Sequence, residues 1–411
     1  MLIDAQMEFH ETILSLHELL GASKLSAIRS ADSIHRKTFM MNALKDGVND
    51  SAVAAWESER SRRYSEAMGL GDRGARDSAL AKWNEEVRDG LAEIIKDAVE
   101  RDAGFAEGRL NLAIRQVSAR PTPDGLIRNA VLLTLVSAFE GVIGKIYRVA
   151  LAEKPELYLS GEREYSLAEI VRIGSLDSIV EEAIERKVDT ALRGGVEDWE
   201  KVFVKIDVHF KKLCIDWERV IEIFQRRNAL VHTHGEVNAT YASKVKNSPG
   251  RGTPLMTNDE YLSQAISEVV ALGSTVIMKS WLHIYPDHEL AAAGAPYLYF
   301  DDLLERGYCG AVERVADEAK NVGNDLDMKL RIRLYMWLAR RNARGVKAIR
   351  SEVEKWDTSA LKSEFSFSRA ILLEDLDAAE EIKRAAALRS EEWVDTIPEM
   401  AIVKFRRESP K

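Results

Sequence analysis

The sequence predicts an all-α protein, and three observations carry that expectation. Nine prolines interrupt 411 residues, the composition is rich in Ala, Leu, Glu, Lys and Arg, and few stretches alternate apolar with polar residues as a half-buried strand would. A chain this long, 46% hydrophobic, can bury a sizeable core shared among two or three domains.

Residues 1–118 read as an N-terminal region of charged amphipathic helices, with candidates at Asp4 to Leu20, Ala52 to Met68 and Ala79 to Arg101. His10, His17 and His35 have no Cys or acid at metal-ligand spacing and read as surface or packing residues. The first residues carry acids where a secretory signal would carry bases, and no later apolar run reaches the ~20 residues that span a bilayer, so a cytoplasmic protein is expected. Ala119-Arg120-Pro121-Thr122-Pro123-Asp124-Gly125 is the clearest break, because its prolines disfavour helix.

A strongly apolar helix follows from Leu126 to Leu151. Ser137, Ala138, Gly141 and Gly144 form a small-residue strip that lets another helix approach, and Glu140 interrupts the apolar pattern. Tyr165 to Lys187 and Val196 to Leu213 supply further helical material. The next helix starts at Asp216, a good N-cap, and runs through Trp217, Val220, Ile221, Ile223, Phe224, Leu230 and Val231. One turn beyond Ile223 and Phe224, where a purely structural helix places Leu or Ile, stand Arg227 and Asn228. At ~100° per residue, Asn228 and His232 share a face, whereas Arg227 and His232 lie ~140° apart. Gly235 is placed to close the helix as a left-handed cap.

The segment from Arg226 to Tyr241, RRNALVHTHGEVNATY, closely resembles the signature of HEPN-domain ribonucleases of the toxin and antiviral-defence type. The resemblance implies an up-and-down helical bundle over residues 120–290, usually dimeric, that cuts RNA without a metal where two copies of the motif face each other. It implies Arg227 and His232 as the catalytic pair and Asn228 as their polar neighbour. Thr233 and His234 stand where the family often has a second amide residue, which makes His234 a supporting candidate. Glu140 is a second one, a carboxylate able to orient the guanidinium or the imidazole. A bacterial toxin or antiphage effector is the biological role the resemblance implies.

The residue types suit that chemistry. RNA carries its own nucleophile, the 2′-hydroxyl, so an enzyme need only move protons and stabilise charge on phosphorus. An imidazole of ordinary pKa about 6.5 exchanges protons near neutrality. Arg227 offers a permanently charged planar fork for phosphate oxygens. No cofactor or metal is called for: Gly-rich phosphate loops and nucleophile elbows are missing from the sequence, Asp207-Val208-His209 lacks companion ligands, and Cys214 and Cys309 read as buried thiols.

Against an RNA partner stands the formal charge of −9, since phosphate neutralisation calls for a basic surface, although a recessed site needs only local positive charge. Val237 to Asn258 is free of acids and carries Lys244, Lys246 and Arg251, a mobile basic loop able to meet RNA phosphates or simply to face solvent. The reading that competes with an enzyme is a helical scaffold in which Arg227, Asn228 and His232 form a buried polar network or bind a nucleotide.

Asp259 to Tyr285 forms a long closing helix, with capping residues at Thr257-Asn258-Asp259 and Pro286 beyond it. After an Ala291 to Pro296 linker, Gly310-Ala311-Val312, Gly345-Val346-Lys347 and Leu376-Asp377-Ala378 recur at roughly 31 to 35 residues, a period similar to tetratricopeptide-type hairpins. Residues 296–411 are thus expected to form a C-terminal module that oligomerises or senses a protein partner or trigger.

Overall fold

The computed structural model describes residues 1–23, 123–155, 165–391 and 393, with isolated positions between 58 and 82. The expected helices at 52–68 and 79–101 fall largely, and His35 wholly, outside the described residues; of the expected 119–125 break only Pro123, Asp124 and Gly125 are described, and they open a helix instead, Pro123 standing at its first position. Among the described residues every named element is helical, and one isolated antiparallel bridge joins Glu236 to Pro254. Contacts divide the chain into two units, Gly21–Ile127 and a second made of Met1–Leu20 with Arg128–Lys411. All that follows concerns the second.

Helix α1 (Leu2–Ser23) turns Phe9 and His10 inward. A Cβ on Gly273 would come within 2.6 Å of the Phe9 ring, so only glycine admits this contact. His10 stacks on Tyr299 with ring centroids 4.0 Å apart, and His17 Nδ1 lies 2.9 Å from the Tyr308 hydroxyl, so both are packing histidines.

Helix α2 (Pro123–Glu153) buries Val131, Leu132, Leu135, Val136, Phe139, Val142, Ile143 and Ile146. Its small-residue strip divides: Gly144 sits where a Cβ would lie 3.2 Å from Leu192, while Ser137 and Gly141 face solvent. The single helix expected over Tyr165 to Lys187 is two, α3 (Leu167–Ile173) and α4 (Leu176–Leu192). Gly174, at φ 95°, stops the first, and Ser175 caps the second through the Ser178 amide. The Val196 to Leu213 segment is likewise shorter than expected. Helix α5 (Val196–Phe203) gives way to two 3-10 turns, Val204–Ile206 and Phe210–Lys212, separated by Asp207 in the left-handed region.

Helix α6 (Trp217–His232) carries the motif, α7 (Ala239–Lys244) is a short turn beyond it, and α8 (Asp259–Ile284) is buried on nearly every side. Asp216 and Asn258 cap α6 and α8 as expected, accepting the Arg219 and Tyr261 amides at 3.0 and 2.7 Å. Phe139, Trp199 and Phe224 meet with centroids 5.6 to 6.0 Å apart and join α2, α5 and α6 in one aromatic cluster. Contrary to the sequence expectation, α2 and α8 are long and apolar enough to cross a bilayer by length and composition alone. Most of that apolar stretch in α8 is buried within the protein.

The expected Ala291 to Pro296 linker is helical. It lies in α9 (Glu289–Tyr297), where the alanine run favours helix and Pro296 falls in the last turn. Helices α10 (Phe300–Glu305), α11 (Cys309–Ala319), α12 (Leu326–Arg344), α13 (Arg350–Glu354), α14 (Ser363–Leu373) and α15 (Leu376–Leu388) complete the chain. Here α11 packs on α12 and α14 on α15. Gly345 opens only a 3-10 turn. The two thiols are not buried as expected: Cys214 is exposed and Cys309 half-buried.

Candidate active site

Helix α6 stays regular through His232, and its buried face includes Val220, Ile223, Phe224 and Ala229. Arg227 sits at the edge of that face, its side chain 24% exposed. One guanidinium nitrogen donates to both oxygens of Glu140 on α2, at 2.6 and 2.7 Å, and the other donates to Asn228 Oδ1 at 3.0 Å. Glu140 reaches the site because α2 and α6 are clamped by the Phe139–Phe224 ring contact one residue away. Partial burial pushes its carboxyl above the ordinary 4.5, and Arg227 opposes that rise.

His232 ends the helix and is exposed, and its imidazole has no hydrogen bond among the described residues. It is not brought against Arg227 within one chain, as a regular helix with these two residues ~140° apart requires. Val231, placed on the apolar stripe by periodicity, is 53% exposed, because the buried face of the last turn ends at Ala229.

Closure beyond His232 differs from expectation in one detail. The left-handed bend begins at His234, φ 53°, and continues through Gly235, φ 81°, instead of resting on glycine alone. A side chain at Gly235 would also meet Leu230 at 3.1 Å. The Thr233 and Gly235 amides both donate to the Ala229 carbonyl, at 2.8 and 3.0 Å, and the Thr233 hydroxyl donates to the Glu236 carbonyl at 2.8 Å. The segment beyond the turn is pinned: Val237 donates to Thr253, Gly252 to Val237 and Leu255 to Gly235, while Ala229, Val237, Tyr241 and Leu255 pack in one small core.

The three basic candidates stand apart in what they have to offer. Lys244 pairs with Glu197, and Lys246 donates to Glu218 at 3.0 Å. Arg251 is exposed, with no ion pair among the described residues.

Periodicity gave no sign of a second polar cluster on the same helix. Glu222, buried, accepts from the Tyr241 hydroxyl at 2.7 Å, the Tyr261 hydroxyl at 2.8 Å and Arg226 Nε at 2.7 Å. Arg226 lies over the Tyr261 ring at 3.9 Å and donates to the Met256 carbonyl at 2.6 Å. Burial, reinforced by the Glu222 charge, raises both tyrosine hydroxyls above their ordinary value, which keeps them protonated donors. The (i, i+4) spacing of Glu222 and Arg226 was the one signal available.

Comparison with family models, with curated proteins and with solved structures finds no match to this chain.

Proposed function

We propose that the chain is a metal-independent endoribonuclease of the HEPN type. The observation that carries the reading is Arg227: a cation at the edge of a buried helix face, held by a carboxylate from a neighbouring helix, with an exposed imidazole at the helix end. In the reaction, His232 takes the proton of an RNA 2′-hydroxyl, that oxygen attacks the adjacent phosphorus, and the bond from phosphorus to the 5′-oxygen breaks. The products are a 2′,3′-cyclic phosphate and a 5′-hydroxyl. Arg227 neutralises the phosphate oxygens as charge develops, with Glu140 and Asn228 fixing the plane of its guanidinium.

The ~140° between Arg227 and His232 supports a composite site in which a second copy faces the first, its own His232 returning a proton to the leaving oxygen. RNA phosphates would displace Glu197 and Glu218 from Lys244 and Lys246, exchanges that cost little at exposed ion pairs. A cytoplasmic toxin or antiphage effector, restrained or triggered through tetratricopeptide-like hairpins at 296–411, is the wider role this reading supports.

One observation favours the competing scaffold: Arg227 already has protein partners at two of its nitrogens. The test is incubation of purified protein with RNA in EDTA. Wild type is expected to leave cyclic phosphate ends, and Arg227→Ala or His232→Ala to lower the rate at least about a hundredfold while remaining folded by circular dichroism. Intact RNA with the wild type under all conditions favours the scaffold.

A further inference from the structure

The His232 imidazole has no hydrogen bond among the described residues, so it is placed by the last turn of α6 and by the backbone that leads out of that turn. That backbone is stapled to residues 252–255, and the staple rests on Tyr241, which packs against Val237 and Leu255 in the small core. Tyr241 is in turn bound to Glu222, a buried carboxylate on α6 itself. The same carboxylate takes the Tyr261 hydroxyl, but Tyr261 belongs to α8 and lies outside the pinned turn.

We infer that Glu222, acting through Tyr241, is a positioning residue for His232: it ties the turn after α6 back to the body of α6 and so fixes the imidazole relative to Arg227. This inference rests on the ribonuclease reading for its catalytic consequence, although not for the positioning itself. The Tyr241 and Tyr261 hydroxyls bond one carboxylate at 2.7 and 2.8 Å, yet Tyr241 is itself part of the small core under the turn, whereas Tyr261 reaches that segment only through the Arg226 stacked on its ring. The two are therefore a matched pair.

The experiment compares Tyr241→Phe with Tyr261→Phe, each of which removes one hydroxyl and keeps the ring. Two quantities are read: the His232 imidazole resonances by NMR, and kcat and KM on RNA. Tyr241→Phe is expected to shift the His232 resonances and to lower kcat about tenfold with KM within about twofold, as a small misplacement of a proton-transfer group does. Tyr261→Phe is expected to leave both near wild type while lowering the melting temperature to a similar extent. Equal responses of His232 to the two variants, or none to either, overturn the inference and make the cluster purely structural. Should the wild type cut no RNA, the resonances alone decide the positioning, and only the ribonuclease reading fails.

Discussion

Helix α6 carries two polar clusters five residues apart, and they are built to opposite rules. Around Glu222 the chain's own groups close on one carboxylate: two tyrosine hydroxyls, the Arg226 guanidinium, itself laid over an aromatic face, and the Arg219 guanidinium at 3.7 Å. Around Arg227 the closure is partial, with a single carboxylate and an amide on one side and an unbonded, exposed His232 beyond. A saturated buried cluster has nothing left to offer a ligand and stabilises or positions what surrounds it. An unsaturated one at a helix end can exchange its partners for a substrate.

The sharpest way to break this contrast is to remove the hub. Glu222→Ala leaves two buried hydroxyls without their acceptor and takes the counter-charge from Arg226, which keeps only the Met256 carbonyl, and is expected to cost about 3–5 kcal/mol in urea unfolding. Arg227→Ala, in the open cluster, should cost far less. Similar losses from both would erase the distinction.

Glu140→Gln probes the open cluster more gently. The amide keeps an acceptor for Arg227 but loses the charge and one of two bonds, so kcat on RNA should fall about tenfold, a figure of about 1.4 kcal/mol. Its pH dependence also has a defined sign. Because burial raises the folded-state pKa of Glu140, the folded protein binds this proton before the unfolded chain does, and stability from this group rises as pH falls through that range. Wild type should therefore gain on Glu140→Gln when unfolding is measured at progressively lower pH, and a constant difference would contradict the assignment.

The smallest effect is expected at the junction between helix and turn. His234 holds φ 53° without being glycine, so His234→Gly should stabilise by about 0.5–1 kcal/mol in thermal unfolding. If catalysis survives that change, His234 contributes backbone shape alone.

What was legible in the sequence follows the range of the interactions. Asp216 and Asn258 declare their helices because a cap bonds an amide three residues on. Arg227 and Asn228 stood out as polar breaks in a 3.6-residue pattern, and Glu140 did so on α2. The Glu222 cluster stayed hidden because Tyr241 and Tyr261 lie 19 and 39 residues away, and a Glu four residues before an Arg reads as an ordinary exposed pair. For the same reason the basic segment looked free: the partners of Lys244 and Lys246 are 47 and 28 residues back. The Ala291 to Pro296 stretch reads as a linker, whereas the structure carries a helix through it and places Pro296 in the final turn.

The packing of α1 has a consequence in time. His10 and Ser274 are 264 residues apart, yet they meet at 3.2 Å, beside the contact of Phe9 with Gly273. At about 5–20 residues per second, a ribosome needs roughly 10–50 s to make the second partner after the first. Helix α1 is thus held without its seat until α8 has been made, and docks only after Gly273 and Ser274 have left the tunnel.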